Sequence, residues 1–265
     1  LLVLGAGGKM GPSLAVLARR AAQAAGHPLD IVAASRFSDP AARRYLEERD
    51  VRTLSCDLMD ADSLRKLPDA EQIIYLVGLK FGTSQNPAAT WAINTLAPAN
   101  ACARYSHSRI AALSSGSIYP LTPVRAGGAL ETEPLTPLGE YANACVARER
   151  IFEHFSRQNG TPLALIRLFY AVELRYGVLV DLAQKVIAGE AVDLSMGHLN
   201  WIWQGDANEF ILRSLALASA PPEAFNLTGP RAWTVRELAL TFGELLGRPP
   251  LLVGSEAETA LLGNS

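Results

Sequence analysis

Several things this sequence lacks narrow its possible functions. It has only three cysteines, Cys56, Cys102 and Cys145, odd in number and far apart. No disulfide framework or zinc spacing can be drawn from them, and reduced thiols in a cytoplasmic protein are the expectation. The four histidines (His27, His107, His154 and His198) are just as scattered, so no metal site is predicted. No apolar run approaches the roughly 20 residues a membrane-spanning helix needs. Neither sign of charge dominates: 24 Lys and Arg stand against 26 Asp and Glu, a net charge of -2. That balance gives no electrostatic reason to expect nucleic acid or an anionic membrane as partner. A secretory leader is not expected either, since the chain opens directly on an apolar strand. The abruptness of that opening, and of the end at Ser265, predicts that the natural chain extends further.

What is present is a globular composition. The 265 residues are 49% hydrophobic and 19% charged, enough for a sizeable core in one large domain or a domain with a smaller lobe. Short apolar runs alternate with helical patterns. Leu1–Leu4 reads as a buried strand, Met10–Ala25 as a helix with Pro12 in its first turn, and Leu29–Ser35 as the second strand. Pro40–Glu48 is helical, and Val51–Leu54, Ile73–Val77, Arg109–Ser114 and Leu163–Leu168 are further strands. Pro87–Tyr105 and Leu138–Gln158 are long helices. Such alternation predicts an α/β protein with a Rossmann-type, doubly wound parallel sheet. After about Tyr170 the pieces shorten. Residues 1–170 are therefore expected to form a dinucleotide-binding domain and 171–265 a smaller substrate lobe, with about 198–218 returning to the main domain.

The turn after the first strand, Gly5-Ala6-Gly7-Gly8-Lys9-Met10-Gly11, carries the chemical signal. Gly5 permits a tight turn, Gly8 lets the backbone approach a pyrophosphate, and Gly11 lets helix and strand pack closely. The helix N-terminus then offers free N–H groups to phosphates. The second strand closes on Ser35-Arg36 rather than on an acidic residue. A carboxylate there would select the ribose hydroxyl of NAD. Arg36, with Lys9 nearby, favours the 2′-phosphate of NADP, with NAD as the alternative.

With these motifs in place, the chain resembles the extended short-chain dehydrogenase/reductase, or NAD-dependent epimerase/dehydratase, family. Further segments match in order: Cys56-Asp57-Leu58, Ile74 to Lys80, Ala92-Ile93-Asn94-Thr95, Leu113 to Tyr119, Glu140-Tyr141, Trp201 to Ala207, Phe225 to Gly229 and Thr234 to Leu238. The resemblance implies that Asp57 and Leu58 meet the adenine, and that Val77, Gly78 and Lys80 lie at the strand end beneath the cofactor. It also implies cofactor-site places for Asn94, Ser114, Tyr141 and Tyr170, and catalytic roles for Ser115 and Tyr141. The implied activity is hydride exchange at a hydroxyl-bearing carbon of a sugar-like small molecule. Dimerisation through the two long helices is a further implication.

The sequence departs from the family at one point. Four residues after Tyr141, where the family keeps a lysine that acidifies the tyrosine and grips the ribose, stands Cys145. Three readings follow. Another cation serves, Arg148 from the same helix face or Lys80 from the neighbouring strand; or Tyr141 only donates a hydrogen bond in a different reaction; or the fold holds cofactor without turnover. Trp201 and Trp203 are candidates to line a substrate cleft, and Arg167 and Arg175 to meet an anionic substrate.

Overall fold

A computed structural model describes residues 1–80 and 82–264. Seven strands form its main sheet: β1 (Leu2–Leu4), β2 (Val32–Ser35), β3 (Arg52–Ser55), β4 (Gln72–Tyr75), β5 (Arg109–Ser115), β6 (Leu163–Leu168) and β7 (Glu223–Leu227). Their order is β7-β6-β5-β4-β1-β2-β3, and from β5 across to β3 every neighbouring pair is parallel. This is the doubly wound α/β fold that the strand–helix alternation predicts. Central β1 is apolar throughout and every residue of it is buried, as expected of a strand covered on both faces.

The helices of this half are α1 (Gly11–Ala24), α2 (Pro40–Glu47), α3 (Ala61–Arg65), α4 (Pro87–Arg104) and α5 (Gly139–Asn159). The helices expected from the sequence start within one residue of the expected positions. Pro12 sits in the first turn of α1, Asp39 caps α2 by accepting from Ala41 N at 2.8 Å, and Asn86 caps α4 by accepting from Ala89 N at 3.1 Å. Five-residue α3 was not expected, being too short to show a period, although Asp60 caps it in the same manner. The second strand is shorter than Leu29–Ser35: Leu29 N–H bonds back to His27 O, and the ladder starts at Val32.

The chain divides into two compact units. The first comprises Leu1–Ser115, Leu138–Ile166 and Asn208–Phe225; the second comprises Gly116–Pro137, Arg167–Ala207 and the chain from Asn226 on. The first unit's core runs from Leu2, Leu4 and Ile73 through Tyr75 and Phe152, whose rings meet edge to face at 5.0 Å. The second unit has its own apolar cluster, built on Leu182 of α6 (Val178–Ala188), Leu238 of α8 (Val235–Leu246) and Val192, Leu194 and Leu199 from the segment after α6; α7 (Gln204–Arg213) lies between the two helices in sequence. Arg167 is interior here. Its Nη1 donates to Tyr119 OH at 2.5 Å and to Glu131 O at 3.1 Å, and the Tyr119 hydroxyl donates in turn to Asn226 Oδ1 at 3.0 Å. The side chain is spent on this network, which removes it as an anion-binding candidate. Arg175 pairs with Glu173 at 2.7 Å on the surface, and Trp201 stacks on Trp233 inside the cluster.

Candidate functional site

The strand order reverses between β1 and β4, and in open α/β sheets ligands bind in the crevice outside the strand ends at such a point. The glycine turn leaves β1 there. Gly5 has φ +86°, and the N–H groups of Gly5 and Ala6 both donate to Ala34 O, at 2.8 and 3.2 Å. Packing keeps Gly5 and Gly11 bare and crowds Gly7. A Cβ at Gly5 would lie 2.8 Å from Val77 Cγ2, one at Gly7 2.7 Å from Ser35 Oγ, and one at Gly11 2.5 Å from Ala6 Cα. Gly8 is different. Its Cβ would meet only Gly5 O, at 3.4 Å, an ordinary contact. Gly8 lines the groove, so what its missing side chain keeps clear is space outside the protein. Beside it α1 begins with no side-chain cap and no acidic residue in its first turn. Open N–H groups next to a clear backbone surface fit a dinucleotide's diphosphate.

The groove has a volume of about 330 Å³. Of the residues expected from the sequence, Gly5, Gly7, Gly8, Ser35, Arg36, Asp57, Leu58, Val77 and Gly78 line it. Gly11 is buried under the turn, Met10 precedes α1, and Lys9 before it is exposed. Sequence reasoning missed Ser38, Asp39, Cys56, Met59, Leu76, Ile93 and Ala97. Asp39 has the largest consequence. The strand end itself carries no carboxylate, but Asp39 brings one into the same wall as Arg36. The residue was readable as the cap of α2; its second role as wall depends on how the loop folds. Asp57 Oδ1 already accepts from Met59 N at 3.0 Å.

A second group gathers where β5 ends and α5 begins. The Tyr141 phenol is in hydrogen-bond contact with Ser115 and with Cys145. Burial and Cys145 push the phenol up to about 12, while Arg148 and the bond from Ser115 pull it the other way. The Ser114 hydroxyl points elsewhere and donates to the buried carboxylate of Glu149 at 2.5 Å. Asn94 is likewise interior. Its Nδ2 donates to Thr90 O at 2.8 Å and Leu79 O at 3.3 Å, and its Oδ1 accepts from Arg148 Nη1 at 3.0 Å. Arg148 also donates to Val77 O at 3.3 Å and to Cys145 Sγ at 3.3 Å. Lys80 keeps solvent contact, yet the protein around its ammonium lowers its pKa; Cys145 opposes that lowering and Lys9 adds to it. Tyr170 belongs to the second unit, where it packs against the apolar cluster and pairs with Trp201 across two parallel strands.

Among the described residues no group of His, Cys, Asp and Glu is placed to hold a metal ion, and no helix is long and apolar enough to cross a membrane.

A family model described as "NAD dependent epimerase/dehydratase family" matches residues 1–227. No curated protein matches the chain significantly in sequence. Solved structures do match in fold. A dTDP-glucose 4,6-dehydratase from Streptomyces venezuelae has 18% identity over 99% of this chain and 87% of its own, with a TM-score of 0.82. The UDP-glucose 4-epimerase of Thermotoga maritima has 17% identity, coverages of 99% and 88%, and a TM-score of 0.78. The UDP-glucuronic acid 4-epimerase of Bacillus cereus has 14% identity, coverages of 95% and 86%, and a TM-score of 0.79.

Proposed function

Because the chain belongs to the NAD-dependent epimerase/dehydratase family, we propose that its groove binds a nicotinamide dinucleotide and that it is an epimerase, dehydratase or reductase of a hydroxylated, sugar-like small molecule. The carrying observation is the contact of the Tyr141 phenol with Ser115 at the end of β5. When bound, the nicotinamide takes or supplies a hydride. The chain's own residues handle the proton and the oxygen. Burial keeps Tyr141 protonated at neutral pH, so it begins as the donor. As a carbonyl carbon gains hydride, the phenol O–H breaks and its proton goes to the carbonyl oxygen, which becomes a hydroxyl. In the reverse direction the phenolate takes the hydroxyl proton as the hydride leaves. The Ser115 hydroxyl steadies the oxygen through both.

Two of the structural relatives are named for UDP-sugars and one for a dTDP-sugar, so nucleoside-diphosphate sugars are the first substrates to try. Arg36 favours NADP; Asp39 in the same wall favours NAD, and Arg36→Asp should move preference towards NAD if Arg36 reads the 2′-phosphate. We also expect a homodimer through α4 and α5, where Trp91, Leu96 and Leu138 are exposed.

The test is fluorescence titration with NADH and NADPH, then product analysis with a panel of nucleotide sugars. Tyr141→Phe should lower turnover by about 10²–10⁴-fold while leaving cofactor affinity unchanged. Failure to bind either cofactor would overturn the proposal, as would full turnover by Tyr141→Phe. The raised phenol favours a second reading, a cofactor-binding protein without turnover; tight binding with no product from any sugar nucleotide would establish it.

A further inference from the structure

Arg148 is 4% exposed, and its three bonds described above go to Val77 O, Asn94 Oδ1 and Cys145 Sγ, none of them a carboxylate. Its Nε has no partner. A guanidinium kept under these conditions is costly, and an apolar side chain of similar size would pack there at less cost. Yet the surroundings are shaped to hold it. A Cβ at Gly78 would lie 2.5 Å from Arg148 Nη1, so the glycine is bare on the guanidinium's account. Asn94 is oriented by two backbone carbonyls, which leaves its oxygen facing Arg148. Along α5, Tyr141, Cys145 and Arg148 follow at i, i+4 and i+7 on one face, each touching the next.

We propose that Arg148 is the positioning cation of the Ser115–Tyr141 pair: clamped by Val77, Asn94 and the bare Gly78, it presents positive charge to the phenol across the Cys145 thiol and eases loss of the phenolic proton. This rests on Tyr141 being the proton-handling group. The other groups around the phenol do not supply that charge. From α5, Glu149 turns its carboxylate to Ser114. From β5, Ser115 is neutral. From β4, Tyr75 is buried beside Arg148 and stays a neutral phenol. Lys80, just beyond β4, keeps solvent contact and interacts with Cys145, whereas the cation acting on the Tyr141 phenol is Arg148. Consistent with this, Arg148 is the cation that draws the Tyr141 phenol down against burial.

The experiment uses the full chain with a ring-fluorinated tyrosine at position 141, whose lower ordinary pKa brings ionisation into a range the fold survives. Fluorine NMR follows the titration without substrate. Arg148→Gln and Arg148→Met should each raise the midpoint by about one pH unit or more, and Arg148→Lys should restore most of it. Two neutral variants guard against one failing to fold. An unchanged midpoint in either folded neutral variant, or a rise as large in Arg148→Lys, would overturn the proposal. Full turnover by Tyr141→Phe would instead overturn the functional assignment and leave these midpoints as they are.

Discussion

Gly8 and Gly11 lie three residues apart in one turn, and the structure assigns them opposite reasons for being glycine. Substituting alanine at each separates the reasons. At Gly11 the new Cβ would lie 2.5 Å from the Cα and the oxygen of Ala6, which are backbone atoms that cannot swing aside. Overpacking of this kind costs roughly 1–3 kcal/mol. For a chain of this size that is a Tm lowered by roughly 2–12 °C. At Gly8 the nearest atom would be Gly5 O at 3.4 Å, and Gly8 has no left-handed φ to lose. Alanine there should leave Tm unchanged or raise it slightly, since a stiffer unfolded chain is worth about 0.4–1 kcal/mol. The cost should appear in the complex, where the methyl group occupies the space a diphosphate needs. The same 1–3 kcal/mol, applied to binding, weakens NADH roughly 5- to 150-fold. Thermal denaturation of the unliganded protein and fluorescence titration with NADH read the two effects separately. If Gly8→Ala binds NADH as tightly as the parent, the groove does not hold the diphosphate at this turn and the reasoning fails.

The two adjacent serines should part in the same way. Ser115→Ala is expected to lower turnover with little change in Tm, whereas Ser114→Ala removes a donor from the buried Glu149 carboxylate and should cost about 1–3 kcal/mol of stability, read by urea denaturation. Stability should also fall at alkaline pH. Burial raises the pKa of Tyr75, Tyr105, Tyr141 and Tyr176 in the folded state. The native protein therefore holds protons that the unfolded chain releases, and stability present below about pH 10 is lost as pH rises towards 12. Tyr75→Phe should blunt that loss. Its hydroxyl has no partner, the ring contact with Phe152 survives the change, and the urea midpoint at pH 7 should hold or rise; a clear fall would show an unseen partner for the hydroxyl.

Much of this was legible in the sequence because it is local. The glycine turn, Pro12 and the caps Asp39 and Asn86 act within a few residues of themselves, and the apolar runs give the parallel sheet. Less local features were not. Ser114 and Ser115 both looked like site residues; both hydroxyls reach α5, Ser114 at Glu149 and Ser115 at Tyr141, and which goes where depends on how that helix lies along the end of β5. Gly78 looked like a cofactor-site glycine, yet the atom that forbids its side chain belongs to Arg148, 70 positions later. Asn94 was expected to face the cofactor, and its bonds are set by Leu79, Thr90 and Arg148. Arg167 was readable as a cation but not as an interior one, because Tyr119 and Glu131 reach it only in the fold.

The bond from Arg148 to Cys145 also constrains the lineage of this protein. A lysine gained at 145 would set an ammonium beside a buried guanidinium held by Val77 and Asn94, in an interior where like charges repel strongly. Losing Arg148 first would leave the phenol without its cation. Either single change should pass through a poorer protein, so positions 145 and 148 are expected to change together. Relatives that carry cysteine at the first should carry arginine at the second, and those that carry lysine should carry a neutral residue there.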